Sequence, residues 1–359
     1  MITSPPPTAP TAHDPGRPLP RRWRISLRQV QVALGALWLL DGLLQLQPPM
    51  FTSAFVTQIL DPVAQGQPPL IGHSITAMAS FIAPHIAAWN LVFALVQLAL
   101  GLGFLWRRTV RPAIVASLAW SLLVWWFAEG LGGLLTGGAT PVTGAPGAVL
   151  LYALIALIAW PRGAGPSSAT NAAGQGLLGD RGTRAVWVVL WVTGAVLILL
   201  PPNRGRGAIA STIAAAAAGE PQWLRGLQLP VAHLLAGQGA ALALGLGVLQ
   251  LAIGLGVLLR SARHLALGAG ALLAVAFWVL GQSLGGILTG AGTDPNTGPL
   301  LVLLGATLVG PVPLRPRAWL GRRARRELEV PWGAVGPAGT RFDRPRAEPG
   351  QNPAGAQRA

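Results

Sequence analysis

The sequence predicts an all-α integral membrane protein of eight transmembrane helices, arranged as two parallel four-helix repeats. Three observations carry this. Of 359 residues, 52% are hydrophobic and only 10% charged, with a mean hydropathy of +0.53, a balance too apolar for a soluble domain of this length. Apolar windows suited to a bilayer core of about 30 Å recur near 30–47, 86–106, 112–129, 147–160, 185–201, 234–259, 264–282 and 299–314. The phrase LGGLLTG at 131–137 returns as LGGILTG at 284–290, a shift of 284 − 131 = 153 positions.

Residues 1–28 are Pro-rich and polar with no short apolar core, which reads as a disordered cytoplasmic tail and not as a cleavable secretory signal. Residues 29–161 form the first four-helix repeat, with a long external segment between its first and second helices. A cytoplasmic linker, 162–184, leads to the second repeat at 185–314. The 315–359 tail is basic and rich in Gly, Pro and Ala, and is expected to be disordered and cytoplasmic. The fourth and eighth windows are short for a span of roughly 20 residues, so each is expected to borrow from the Gly-rich segment before it.

Arg residues set the orientation, since cytoplasmic loops retain positive charge. Every second connection is basic, beginning with Arg21, Arg22, Arg24 and Arg28, then Arg107, Arg108 and Arg111. The opposite connections hold only Arg204, Arg206 and Arg225. Both termini are therefore expected to be cytoplasmic in a multi-pass protein of the cell membrane, with the lipid bilayer as its first partner. The net charge of +15 comes entirely from Arg in clusters between apolar runs, which argues against a nucleic-acid partner. Absence of Lys beside abundant Ala, Gly and Arg suggests a GC-rich bacterial genome. Zero Cys excludes disulfides, thiolate nucleophiles, Cys-ligated iron–sulfur clusters and covalent c-type haem.

The shift of 153 extends beyond one phrase. QLALGLGFLWR at 97–107 matches QLAIGLGVLLR at 250–260 in eight of eleven places, and Pro48, Pro49 and Trp125 meet Pro201, Pro202 and Trp278. A duplicated unit with an even number of spans keeps the orientation of both copies, so the pseudo-two-fold axis runs along the membrane normal. The four-span plan, with the segment LGLGFLWRRTVRP from Leu100 to Pro112, resembles the DoxX/DoxD-type four-helix membrane family. The resemblance covers about residues 25–160 and, more weakly, 184–315. It implies a redox-associated membrane subunit, a quinone as cofactor, and a membrane or envelope protein as partner. No family catalytic motif is present to carry over.

Residues shared by both copies should serve the fold, whereas polar residues found in one copy are candidates for function. Gln97 and Gln250 are shared and lie mid-span, where an amide bonding across helices contributes about 0.6 to 2 kcal/mol. The GLG triplets at 101–103 and 254–256 allow close helix approach. Gly132, Gly133 and Thr136, with Gly285, Gly286 and Thr289, form either cavity-lining breaks in the membrane or tight external turns, and the pattern leaves both readings open. A phosphate-binding loop is not supported, since no GxxxxGK[ST] is present.

Asp41 stands apart, because a charged Asp at membrane depth costs about 2.5 to 3.5 kcal/mol and its counterpart, at 41 + 153 = 194, is Gly194. Trp38, Asp41 and Gln45 share one helical face. Glu129 faces Gln282 in the same register, and His85 and Asn90 face Gln238 and Ala243. The first copy thus holds the ionisable groups of a ligand or proton pocket, with Arg204, Arg206 and Arg225 as candidate charge partners. The bland alternative is a protonated Asp41 bonded to backbone or to Gln45. His73, His85 and His233 are widely spaced with no clustered carboxylates, and Met50 and Met78 do not alter this, so no metal site is expected. Motifs for hydrolysis, zinc proteolysis or haem attachment are absent. Three functions remain open on the sequence: a small-molecule-binding or redox-associated subunit, a small-molecule or proton-coupled transporter, and a non-catalytic membrane organiser.

Overall fold

The computed structural model describes residues 22–23, 25–162, 171–310 and 312–313. The first helix, α1 (Leu27–Leu44), opens on a reciprocal cap: Ser26 Oγ accepts the Gln29 N–H and Gln29 Oε1 accepts the Ser26 N–H at 2.8 Å. The chain continues through a 3₁₀ turn at Pro48–Phe51, a π-helical turn at Phe55–Leu60, α2 (Asp61–Ala64) and α3 (Pro69–Ile82). Long apolar helices α4 (Ile86–Leu105) and α5 (Val110–Phe127) follow, and then α6 (Ala148–Ile158). After α7 (Ala172–Gln175), the order recurs as α8 (Gly179–Ile198), a 3₁₀ turn at Pro201–Arg204, α9 (Ala208–Ala216), α10 (Gln222–Leu235), α11 (Gly239–Gly256), α12 (Arg263–Leu280) and α13 (Thr297–Leu308). Two-residue strands β1 (Arg22–Trp23) and β2 (Val312–Pro313) pair antiparallel and join the two ends of this unit.

Six helical stretches, Leu27–Leu44, Pro69–Leu105, Val110–Phe127, Gly179–Ile198, Gly239–Gly256 and Arg263–Thr289, are long and apolar enough to cross a membrane. The protein is therefore an integral membrane protein on length and composition. The remaining expected spans are α6 and α13, of 11 and 12 residues, or roughly 17 Å each at 1.5 Å per residue. The segment expected to be external after the first helix is largely helical. Its π-helical turn buries Phe55 and Leu60, and α3 buries Ile71, Ile75, Ala79 and Ile82 at helical spacing.

Two expected boundaries move. The 1–28 tail ends before α1, whose first turn already contains Leu27 and Arg28. Helix α8 starts inside the expected 162–184 linker, because Asp180 and Arg184 pair at i, i+4 at 2.5 Å and Thr183 Oγ bonds the Gly179 carbonyl at 2.8 Å, extending the helix back to Gly179. Most of the expected tails lie outside the described residues.

Glycine sets the closest packing. A Cβ on Gly35 of α1 would stand 2.8 Å from Phe104 Cβ and 2.9 Å from the Gly101 carbonyl of α4, while one on Gly254 of α11 would stand 3.0 Å from Trp191 Cβ of α8. Such contacts hold helices together where lipid offers no hydrophobic contrast. Arg28 donates to the terminal carbonyls of α4, at 2.9 Å to Phe104 and also to Leu105, which compensates that helix's C-terminal dipole. Gln31 caps the end of α6 through the Ala159 carbonyl at 2.9 Å, and Asn171 reaches Leu308 at the end of α13. The starts of α1 and α8 and the ends of α4, α6 and α13 therefore share one end of the bundle.

Candidate functional site

A cavity of about 310 Å³ opens in the first half, between α1, the π-helical turn, α3, α4 and α5. Its wall is aromatic. Phe81 and Trp89 stack at 5.4 Å, Trp89 and Phe93 at 6.2 Å, and Phe93 and Trp120 at 5.8 Å between ring centroids. Lining residues that also reach the surface of the bundle are apolar, with Phe81 63% and Leu123 52% exposed. Its polar end is formed by Asp41, Gln45, Gln97, Glu129, Thr293 and Asp294.

Asp41 is 2% exposed, and its Oδ1 has no hydrogen-bond partner among the described residues. It stands in the last turns of α1 because the buried stripe Val30, Leu34, Trp38 continues into it at a spacing of three to four residues. Trp38 below it donates from Nε1 to Ser117 Oγ at 3.1 Å and packs on Tyr152 at 4.4 Å. The fully buried Tyr152 hydroxyl neighbours the Asp41 carboxyl. Gln45 and Asn90 are tied to each other, with Gln45 Nε2 donating to Asn90 Oδ1 at 2.5 Å and Asn90 Nδ2 to the Gln45 carbonyl at 2.8 Å.

Glu129 lies two residues beyond α5, at the start of α6. Its Oε1 accepts the Val149 N–H at 3.1 Å, compensating an otherwise free donor of that helix. Oε2 has no partner among the described residues. Burial, together with the nearby charge of Asp294, raises the carboxyl to about 8, although the Val149 and Ala148 N–H groups pull it the other way. Asp294 enters from the second half, on the loop before α13. Burial raises its carboxyl above the usual range, opposed by the Asn296 N–H at 2.7 Å and the Thr293 hydroxyl at 3.1 Å.

Of the residues the sequence singles out, the structure brings Trp38, Asp41, Gln45 and Glu129 to this cavity. Asn90 is buried behind Gln45, and His85 is exposed on the surface. Arg204, Arg206 and Arg225 are exposed and line no part of the cavity, so they do not clamp the acids. The reason is topological: they sit on the outer segments of the second half, whereas the loop that crosses into the first half carries Asp294. Among the described residues, Gln97 and Gln250 do not bridge helices. Gln97 lines the cavity with Oε1 unpartnered, and Gln250 bonds only Leu246 of its own helix at 3.3 Å.

The LGG phrases form left-handed turns. Gly130 to Gly133 have φ of 53, 56, 63 and 69°, and Ser283 to Gly286 have 46, 55, 80 and 65°. A Cβ on Gly132 would strike the Pro146 carbonyl, and one on Gly285 the Asp294 carbonyl. Thr136 and Thr289 close the turns by donating to the Gly133 and Gly286 carbonyls at 2.8 and 2.7 Å. None of these glycines or threonines lines the cavity. Among the described residues, no group of three or more His, Asp or Glu is placed to hold a metal ion.

In the second half, the position that matches Asp41 is tightly packed. At the place of Asp41, a Cβ on Gly194 would meet the Gln250 amide oxygen and, at 3.1 Å, Pro141 Cγ. Pro141 and Asp294 are themselves counterparts, since 141 + 153 = 294. Each half thus sends the same loop position toward the other, ending in an apolar contact on one side and a carboxyl pair on the other. Gln282, the counterpart of Glu129, accepts the Gly298 N–H at 3.1 Å and donates to Thr297 Oγ1 at 2.9 Å and the Pro141 carbonyl at 3.2 Å.

No protein-family model, curated protein or solved structure matches this chain.

Proposed function

We propose that this is a multi-pass protein of the cell membrane whose first half binds a small amphipathic molecule in an outward-facing cavity. The observation that carries the reading is Asp41, a buried carboxyl with a free oxygen at the closed end of an aromatic-walled cavity. An ionisable group at such depth is a functional-site hypothesis by default, and a largely apolar cavity with a few convergent polar groups is the usual form of a small-molecule site. The DoxX/DoxD-like plan of helices favours a redox-associated subunit, with a quinone as cofactor and an envelope protein as partner.

The accompanying architecture is eight spans in two parallel four-helix repeats with both termini cytoplasmic. Helix bounds support the repeat: α3 and α10 start at 69 and 222 and end at 82 and 235, a shift of 153 at both ends. So does chemistry, with Trp125 Nε1 bonding the Pro146 carbonyl at 2.8 Å and Trp278 Nε1 the Pro295 carbonyl at 2.7 Å. Gathering of Arg28, Arg162 and Arg184 with the helix ends that α1 and α8 share supports cytoplasmic termini. Helices α6 and α13 complete their spans with part of the Gly-rich segments that precede them.

Transport is the second reading, favoured by one observation: Thr293 and Asp294 of the second half line the cavity of the first, as expected of a site at the interface of two repeats. The test common to both is mass spectrometry of small molecules released from purified parent protein and from an Ala128→Trp variant, which fills the cavity. A molecule retained by the parent and lost from the folded variant supports binding there. Identical retained molecules would exclude the cavity as their site.

A further inference from the structure

Resting on that reading of the cavity, its chemistry narrows the ligand. Three carboxyls converge at one end, from α1 (Asp41), from the segment after α5 (Glu129) and from the loop before α13 (Asp294). No Arg or His lines the cavity among the described residues, and Tyr152 is the remaining titratable group beside them. Free oxygens point to what is missing: Asp41 Oδ1 and Glu129 Oε2 both lack partners among the described residues. Beyond the acids, the wall is formed by faces and edges of Trp89, Phe93 and Trp120, with Phe55 6.3 Å from Phe93.

Buried carboxylates are tolerated when paired, and among the described residues no cationic side chain lines the cavity. Aromatic rings attract cations through their electron-rich faces, by about 2 kcal/mol when desolvated. A small hydrated metal ion fits poorly, because most of the wall is apolar and no metal-ligand cluster is present among the described residues. We infer that the ligand is a lipophilic organic cation, an ammonium group on an aromatic or alkyl body, with the charge against Asp41, Glu129 and Asp294 and the body along the aromatic wall. The apolar rim at Phe81 and Leu123 suits entry of such a molecule from the lipid.

The expected proton balance follows. In the empty cavity Glu129, with its carboxyl near 8, holds a proton at pH 7. Docking of the ammonium group ionises the carboxyl and releases that proton to solvent.

The test uses the full chain in zwitterionic-lipid nanodiscs, titrated calorimetrically with 4-phenylbutylammonium and with 4-phenylbutanol, and empty nanodiscs subtracted. The ammonium compound should bind at least tenfold more tightly than the alcohol. Asp41→Asn should remove that advantage while leaving the alcohol unchanged, and Asp41→Glu should restore part of it. Should Asp41→Asn not fold, Asp294→Asn on the loop reads the same charge. Heats in buffers of different ionisation enthalpy should show proton release at pH 7 that Glu129→Gln abolishes. If the alcohol binds as tightly as the ammonium compound, and Ala128→Trp removes both, the cavity remains a site and the cation assignment fails. If Ala128→Trp alters neither, both readings fail together.

Discussion

Glu129→Gln isolates one carboxyl whose protonation is tied to the fold. Its folded value of about 8 lies above the model-peptide value of 4.5, so between those limits the native state holds a proton that the unfolded chain releases. Stability contributed by this group is therefore fully present below about pH 4.5 and is lost as pH rises through 8. At 1.36 kcal/mol per unit, the full difference is at most about 5 kcal/mol, and partial exposure of the side chain reduces this to roughly 2 kcal/mol. Gln keeps the acceptor for the Val149 N–H, as Gln282 does for Gly298 in the second half, and removes the ionisation. The assay is thermal unfolding in detergent from pH 5 to 8.5 at a fixed scan rate. Parent and variant should be alike at pH 5, and the variant should gain stability with rising pH until it leads by about 2 kcal/mol, several degrees in Tm. Parallel curves across the whole range would refute the assignment of a pH-dependent buried proton to Glu129.

Other substitutions test the fold around the site. Gly132→Ala and Gly285→Ala place a Cβ both in left-handed backbone and against a carbonyl, and should each lower stability by more than about 2 kcal/mol. Gly137→Ala has the same backbone sign but nothing within 4 Å, and should lose only about 1 kcal/mol; equal losses at all three would contradict the packing reason. Gly194→Asp forces a carboxyl against Gln250 and Pro141, so thermal scans should show a loss of at least about 3 kcal/mol. Reporters fused after residue 308 should behave as cytoplasmic and reporters inserted near 140 or 293 as external; an external C-terminus would sink the eight-span topology.

Membrane character was legible in the sequence because apolar length is a local property, and six of the expected windows are helices long enough to cross a bilayer. Helices α3 and α10 were not legible as helices. The first carries polar His73, Ser74 and Thr76 among its apolar residues, and the second is broken by Pro230, so neither gives a continuous window. Asp41 was visible through its cost at depth and Glu129 through its exchange for Gln282. Asp294 was missed because TDPNTG has the composition of an ordinary turn. Only three-dimensional crossing of that loop into the other half brings its carboxyl to Asp41. The signal was nevertheless present in the shift of 153, since Asp294 replaces Pro141 as Asp41 replaces Gly194. Under the proposed duplication, exchange of these two positions from apolar to acidic in one copy is what a site made on one side of the frame would leave. Tyr152, on a helix after the four-residue shortening of the second copy's loop, falls out of that register and gave no such mark. Arg204, Arg206 and Arg225 illustrate the converse: charge sign suggested partners for the acids, but sequence holds no information on whether their segments reach the cavity.

The central proposal is that the first half holds a ligand beside Asp41, whereas the position 153 residues on, Gly194, is filled by Gln250 and Pro141. High-resolution electron cryo-microscopy of the protein isolated in native lipid addresses it most directly. Non-protein density should lie between Asp41, Trp89, Glu129 and Asp294, with none at Gly194 and Pro141. An empty first-half cavity collapsed onto its own side chains, or density of equal strength in both halves, would contradict it.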